Sequence, residues 1–279
     1  MRNERILGAV VGDIVGSMYE WNNVKTTEFD LFPKGSSFTD DTIMTLAVAL
    51  WLIEDNTHSV DKLVNCMLRL GKRYPSAGYG ARFSRWLFSQ EHQPYNSWGN
   101  GSAMRVSPVG LFADTLDEAL QLAELTASVT HNHPEGIKGA QAVAACVFLC
   151  TKGKSKEFVK EYVTEHFGYD LNRSIDEIRP NYTYDVSCQG SVPIAIRAFL
   201  EGDTFARVLR LAVSVGGDSD TIACIAGSIA ACVYRIPMAV EEKCNDILTE
   251  ELRDIMLEFL RRVLLKHSFV GRVLRLCRL

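Results

Sequence analysis

Two short acidic clusters hold the side chains best suited to chemistry. One is Phe38-Thr39-Asp40-Asp41-Thr42, directly ahead of an amphipathic run that starts at Ile43. The other is Gly216-Gly217-Asp218-Ser219-Asp220-Thr221, directly ahead of a run that is apolar almost all round. Ser, Thr and Asp at helix starts satisfy orphan backbone N–H groups and suit the helix dipole, so capping accounts for one such side chain in each cluster. Each cluster nevertheless brings two carboxylates and a threonine hydroxyl. The second also opens a helix with no polar face, which belongs in an interior where uncompensated carboxylates are costly. Four carboxylates and two hydroxyls are all hard oxygen donors. They suit Mg²⁺ or Mn²⁺ rather than zinc, and two such ions can polarise a substrate oxygen and activate water.

Three further segments carry chemistry or mimic it. Gly12-Asp13-Ile14-Val15-Gly16-Ser17-Met18-Tyr19-Glu20 ends on a carboxylate just past a glycine-striped run, either a functional acid or a solvated helix end. Tyr95-Asn96-Ser97-Trp98-Gly99-Asn100-Gly101-Ser102-Ala103-Met104-Arg105 is glycine-rich, and such backbone can cradle phosphate oxygens while Tyr95 or Trp98 stacks on a base. A plain glycine turn with one buried aromatic reads the same way. Thr130-His131-Asn132-His133-Pro134 places two histidines two residues apart, without a third soft ligand nearby. They suit substrate orientation or capping of the following helix better than metal binding.

The elements that must position these residues are helical. Helical spacing of apolar residues runs through Ile43–Trp51, Val60–Leu68, Leu116–Ala127, Ile137–Cys150, Val192–Leu200, Phe205–Val215 and Thr221–Tyr234, and through one long stretch from Val240 to about Leu265. Tyr182–Val186 is the only plausible strand, and Tyr74–Pro108 reads as loop. Gly8, Gly12 and Gly16 bare one face of the first helix, so a neighbouring backbone can approach it closely. With no internal repeat or linker, the expectation is a compact all-α, orthogonal helix bundle forming one domain over residues 1–279.

These segments, in this order, resemble the ADP-ribosylglycohydrolase family, of the dinitrogenase-reductase-activating glycohydrolase type. The likeness runs from about Leu7 to Pro237 and rests on Thr39-Asp40-Asp41 combined with Asp218-x-Asp220-Thr221, the early Gly-Asp, and Gly-Asn-Gly-Ser-Ala-Met-Arg. It implies an all-α bundle with a binuclear Mg²⁺ or Mn²⁺ centre held by Thr39, Asp40, Asp41, Asp218, Asp220 and Thr221. It implies Glu20, Asp41 and Asp218 as catalytic residues, and ADP-ribose contacts at Ser97, Trp98, Gly99, Asn100, Gly101 and His131. The implied reaction releases ADP-ribose from an ADP-ribosylated protein or other ADP-ribosyl conjugate.

Three other readings use the same residues. A two-metal phosphohydrolase acting on a nucleotide or nucleotide sugar needs the same ligands. A non-catalytic ADP-ribose-binding protein would keep the fold. A Cys188–His131 nucleophilic pair can also be written, although Cys188 near the start of an apolar helix suits a structural role.

Composition bounds the rest. The 279 residues include 34 acidic and 30 basic side chains, net −4, which argues against binding nucleic acid by blanket phosphate neutralisation. Residues 1–258 hold all 34 acids against 24 bases. The tail 259–279 has six bases, Arg261, Arg262, Lys266, Arg272, Arg275 and Arg278, and no acid. That tail is either an amphipathic helix for an anionic surface or a helix packed on the acidic body with its basic heads outward. Eight cysteines without a Cys-x-x-Cys pair read as reduced thiols. Asp13 interrupts the opening apolar run too early for a signal peptide, and the best apolar run, Ile222–Tyr234, is too short to span a membrane. The expected location is cytoplasmic.

Overall fold

Helices make up the regular structure of the computed structural model, which describes residues 5–268. The path is α1 (Leu7–Gly16), α2 (Asp40–Glu54), α3 (Val60–Arg73), α4 (Ala81–Phe88), α5 (Gly101–Met104), α6 (Ser107–Phe112), α7 (Leu116–Ser128) and α8 (Pro134–Thr151). It continues through α9 (Lys156–Phe167), α10 (Ile175–Ile178), α11 (Cys188–Glu201), α12 (Phe205–Ser214), α13 (Ser219–Ala230), α14 (Met238–Ile247) and α15 (Glu250–His267). The all-α class read from the sequence is the class observed. Ser or Thr hydroxyls accept backbone N–H bonds at the starts of α2, α7, α9, α11, α12 and α15, so these starts are set locally.

The centre of the bundle is α13, every residue of which is buried. It packs against α1, α2, α5, α8, α11 and α12, which explains a helix with no polar face. Its closest neighbour is α1, also buried throughout. The glycine stripe makes this seam: Gly8 lies on the Gly227 backbone, Gly12 on Ala223 and Gly16 on Ser219–Asp220. Backbone touches backbone along the whole of α1. The stripe therefore delivers the start of α13 to the end of α1, beside Glu20.

The structure departs from the sequence reading in three places. The long helical stretch from Val240 is split, because Leu248 is extended and the Thr249 hydroxyl caps a new helix by accepting from Leu252 N. The loop-like region 74–108 contains α4, whose face of Phe83, Trp86 and Leu87 buries against the core. Eight residues, about two turns in all, give too short a period to read. Residues 182–186 form no strand; their carbonyls go instead to Lys25 Nζ (from Tyr182 O) and Asn100 N (from Val186 O). Among the described residues the sole bridge pairs Gly99 with Ser187.

Residues 259–268 pack as part of α15. Phe259 is fully buried, Arg261 and Arg262 pair with Glu258, and Lys266 donates to Phe112 O beside Asp114 and Glu118. This stretch follows the packed-helix reading; Arg272, Arg275, Arg278 and Cys277 lie outside the described residues. The other seven cysteines are free and buried. No helix among the described residues is long and apolar enough to cross a membrane.

A methyl group at Gly12 would overlap the Ala223 carbonyl, which is backbone and cannot turn aside. Gly12→Ala is expected to cost at least about 2 kcal/mol by overpacking, seen as a lower midpoint in denaturant. A variant as stable as the parent would show the seam to be loose.

Candidate active site

The residue that ties the first acidic cluster to α1 is Asp13, buried one position after Gly12. Its carboxylate accepts from Thr39 N and Thr42 N at 2.9 and 3.1 Å, and from the Thr39 and Thr42 hydroxyls at 2.7 and 2.5 Å. Four bonds compensate a carboxylate taken out of water, and all four come from the first turn of α2. The start of α2 is thereby locked to α1, as the glycine seam locks the start of α13. The clusters, far apart in sequence, meet where the Thr221 hydroxyl donates to Asp41 Oδ2 at 3.0 Å.

Capping accounts for little of this acidity. Thr39 does cap α2, accepting from Asp41 N at 3.3 Å. Asp40 and Asp41 stand past it with no capping duty, and Asp218 at the start of α13 makes no capping bond. Asp218 instead accepts from Asn100 Nδ2 at 2.6 Å. Glu20, Asp218 and Asp220 each offer a carboxylate oxygen within 4.8 Å of the others. Asp41 Oδ1 is buried without a hydrogen-bond partner among the described residues. Among the described residues no ion pair reaches any of these carboxylates.

Burial first, and repulsion from neighbouring acids second, hold Asp40, Asp41 and Asp220 well above the ordinary carboxylate range. Burial raises Asp13 despite its hydrogen bonds, and raises Asp218 despite Asn100. Glu20 is raised by partial burial and by Asp218, while the Tyr184 hydroxyl, donating to Oε1 at 2.8 Å, works the other way. So many oxygens facing one another, with one buried and unpartnered, fit hard divalent cations.

Glu20, Asp40, Asp41, Asp218 and Asp220 form part of the lining of a cavity of about 340 Å³. A second part is the glycine-rich segment. Asn100 fixes it three ways: its N donates to Val186 O, and its side-chain amide donates to Ser191 Oγ and Asp218. Gly99 and Gly101 face His131, and a Cβ at Gly101 would stand 3.2 Å from His131 Nε2. The third part is basic and aromatic. Arg82 lies 5.0 Å from the Tyr95 ring, Tyr95 tilts against His131 at 5.8 Å, and Arg105 is buried behind Thr130. One cavity thus offers carboxylates, bare backbone and guanidinium groups together.

A sequence model of the ADP-ribosylglycohydrolase family matches residues 4–268. The chain belongs to that family. It is 27% identical to human ADP-ribosylhydrolase ARH3 over an alignment covering 88% of this chain and 91% of that protein. It is 24% identical to ADP-ribosylarginine hydrolase Tri1 of Pseudomonas putida (strain GB-1), covering 83% and 70% respectively. In fold it is similar to a solved structure described as an ADP-ribosylglycohydrolase-related protein complex, with TM-score 0.69 and 24% identity over 94% of this chain and 97% of that one.

Of the residues singled out in the sequence, the cavity lining includes Glu20, Thr39, Asp40, Asp41, Ser97, Gly99, Asn100, Gly101, His131, Asp218, Asp220 and Thr221. Trp98 is outside that lining, half exposed, with its ring edge-on to His133 at 5.4 Å. The two histidines divide the roles left open for them. His133 Nδ1 accepts from Glu135 N and caps α8, whereas His131 faces the cavity. Cys188 donates to Gly99 O, none of its bonds reaches His131, and burial pushes its thiol up to about 12. It is held as a neutral thiol, not a nucleophile.

Three residues at the site had no assigned role from sequence. Asp13 interrupts an apolar run, which was the available signal. Arg105 closes the glycine-rich motif. Tyr184, stacked on Trp21 at 5.6 Å, sits in the segment read as a strand.

Raised carboxyl values have a definite pH signature. The cation-free fold holds protons that the unfolded chain releases above about pH 4. Through these groups its stability is fullest below that pH and falls as pH rises through their raised values. A divalent cation at these carboxylates would compete with the protons, so any melting temperature that Mg²⁺ adds to chelator-treated protein is expected to grow from pH 5 to pH 8. An increment independent of pH, or absent, would contradict this linkage.

Proposed function

We propose that this protein hydrolyses the glycosidic bond between ADP-ribose and an acceptor group, releasing ADP-ribose. The observation that carries the reading is the meeting of two acidic helix starts, through Thr221 and Asp41, in the same cavity as the glycine-rich segment and His131. Family membership supplies the substrate class; the cavity supplies groups suited to it.

Thr39, Asp40, Asp41, Asp218, Asp220 and Thr221 would hold two Mg²⁺ or Mn²⁺ ions. When bound, such ions would supply fixed positive charge to hold the ribose hydroxyls and a water and to offset negative charge developing on oxygen. The remaining work falls to the chain. Cleavage at the anomeric carbon passes through an oxocarbenium-like state that needs a proton moved. Glu20 suits that proton transfer, because its carboxyl is raised above the ordinary range and is aimed by the Tyr184 hydroxyl. Asn100 orients Asp218 and couples it to the glycine-rich segment. Ser97, Gly99, Asn100 and Gly101 offer close backbone approach for a diphosphate, with His131 and the buried Arg105 beside it.

Replacing Asp218 and Asp220 together by Asn is expected to abolish cation-dependent release of ADP-ribose, read by mass spectrometry on arginine-, serine- and nucleobase-linked conjugates. Undiminished turnover in that variant sinks the mechanism. Glu20→Gln is expected to lower kcat by about 100-fold or more with KM little changed. Products identified as inorganic phosphate or AMP would make the protein a phosphohydrolase, and calorimetric ADP-ribose binding without turnover would make it a binding protein.

A further inference from the structure

His131 presents a choice that the cavity alone does not make. Its Nε2 lies against Gly99 and Gly101 and has no hydrogen-bond partner among the described residues, while Nδ1 lies 2.7 Å from Thr130 Oγ1. A neutral imidazole carries one N–H, on one nitrogen or the other. With the proton on Nδ1, the ring would offer the cavity a bare acceptor. With it on Nε2, the ring offers a donor. The two tautomers select opposite substrate atoms.

The second partner of Thr130 resolves the choice. Arg105 is 1% exposed, and its Nη2 donates to Thr126 O at 2.7 Å and to Thr130 Oγ1 at 2.8 Å. A guanidinium only donates, so the Thr130 hydroxyl accepts from it and has its own proton left to give. Among the described residues the only acceptor in its reach is His131 Nδ1. The opposite arrangement would aim two donors at one fully buried oxygen and strand the hydroxyl proton, a cost that buried groups avoid.

We propose that Arg105 is a positioning residue: acting through Thr130, it fixes His131 as the Nε2–H tautomer, so that the ring donates into the cavity to a substrate oxygen. Burial and the adjacent guanidinium groups of Arg105 and Arg82 hold His131 well below its usual range and keep it neutral. A fixed donor of this kind reads an anionic or carbonyl oxygen without itself titrating. Arg105 also stays charged; burial lowers it only to about 10.

The tautomer rests on hydrogen-bond bookkeeping within this chain, whereas its consequence for turnover rests on the ADP-ribosyl reading. The test therefore has two arms. Long-range ¹H–¹⁵N correlation on histidine-labelled full-length protein is expected to show His131 with a bare, accepting Nδ1 and a protonated Nε2. Thr130→Val, close in shape but without the hydroxyl, is expected to lose that pattern, and Thr130→Ser to restore it. On an ADP-ribosyl conjugate that is turned over, Thr130→Val is expected to raise KM about tenfold, the worth of one hydrogen bond, with kcat within about twofold and rescue by Thr130→Ser. A protonated Nδ1 in the parent protein overturns the proposal without any variant being folded. So does a Thr130→Val spectrum like the parent's. The spectra need no substrate, so they decide the tautomer even if the proposed reaction fails.

Discussion

Two consecutive residues of one buried helix hold the site together. Gly12 lets α13 lie against α1 backbone to backbone, and Asp13 takes four hydrogen bonds from the first turn of α2. Neither contact tolerates sliding. A helix resting on a glycine seam has no side chains to repack, and a buried carboxylate that lost its donors would be left unpaired in a dry interior. The starts of α2 and α13 are consequently fixed to the same short rod. Both clusters come together because α1 joins their helices.

That convergence has an electrostatic consequence. Two helix starts point their orphan N–H groups and the positive ends of their dipoles toward a shared region. The field offsets part of the cost of the carboxylates but not all of it, since burial and mutual repulsion still raise them. The remaining imbalance is what suits the site to cations. The basic group of Arg82 and Arg105, placed beside His131 in the same cavity, suits the other half of a substrate that carries both hydroxyls and a negative charge.

Much of this was legible along the chain. The glycine spacing announced a close helix contact, the two-carboxylate clusters exceeded what capping requires, and apolar spacing located most of the large helices. What escaped did so for identifiable reasons. The helix α4 has too few turns to show a period, and α14 and α15 merge in the apolar pattern because only Leu248 and Thr249 separate them. Tyr182–Val186 alternates like a strand, yet among the described residues it has no partner strand, and carbonyls within it go to Lys25 and Asn100.

The sequence by itself determined the helical class, the family and the inventory of hard oxygen donors, because these depend on residue type and short-range spacing. Residue spacing alone left His131 and His133 with the same two possible roles, only the family resemblance singled out His131, and Asp13 and Arg105 were assigned no role. Those questions turn on which atoms face each other across long loops. Tertiary structure decided them, since a hydrogen bond such as Thr221 to Asp41 or Arg105 to Thr130 exists only once separate helices have packed. The carboxylates were visible as charge from the start; their burial in one place, and hence their raised values, belongs to the fold.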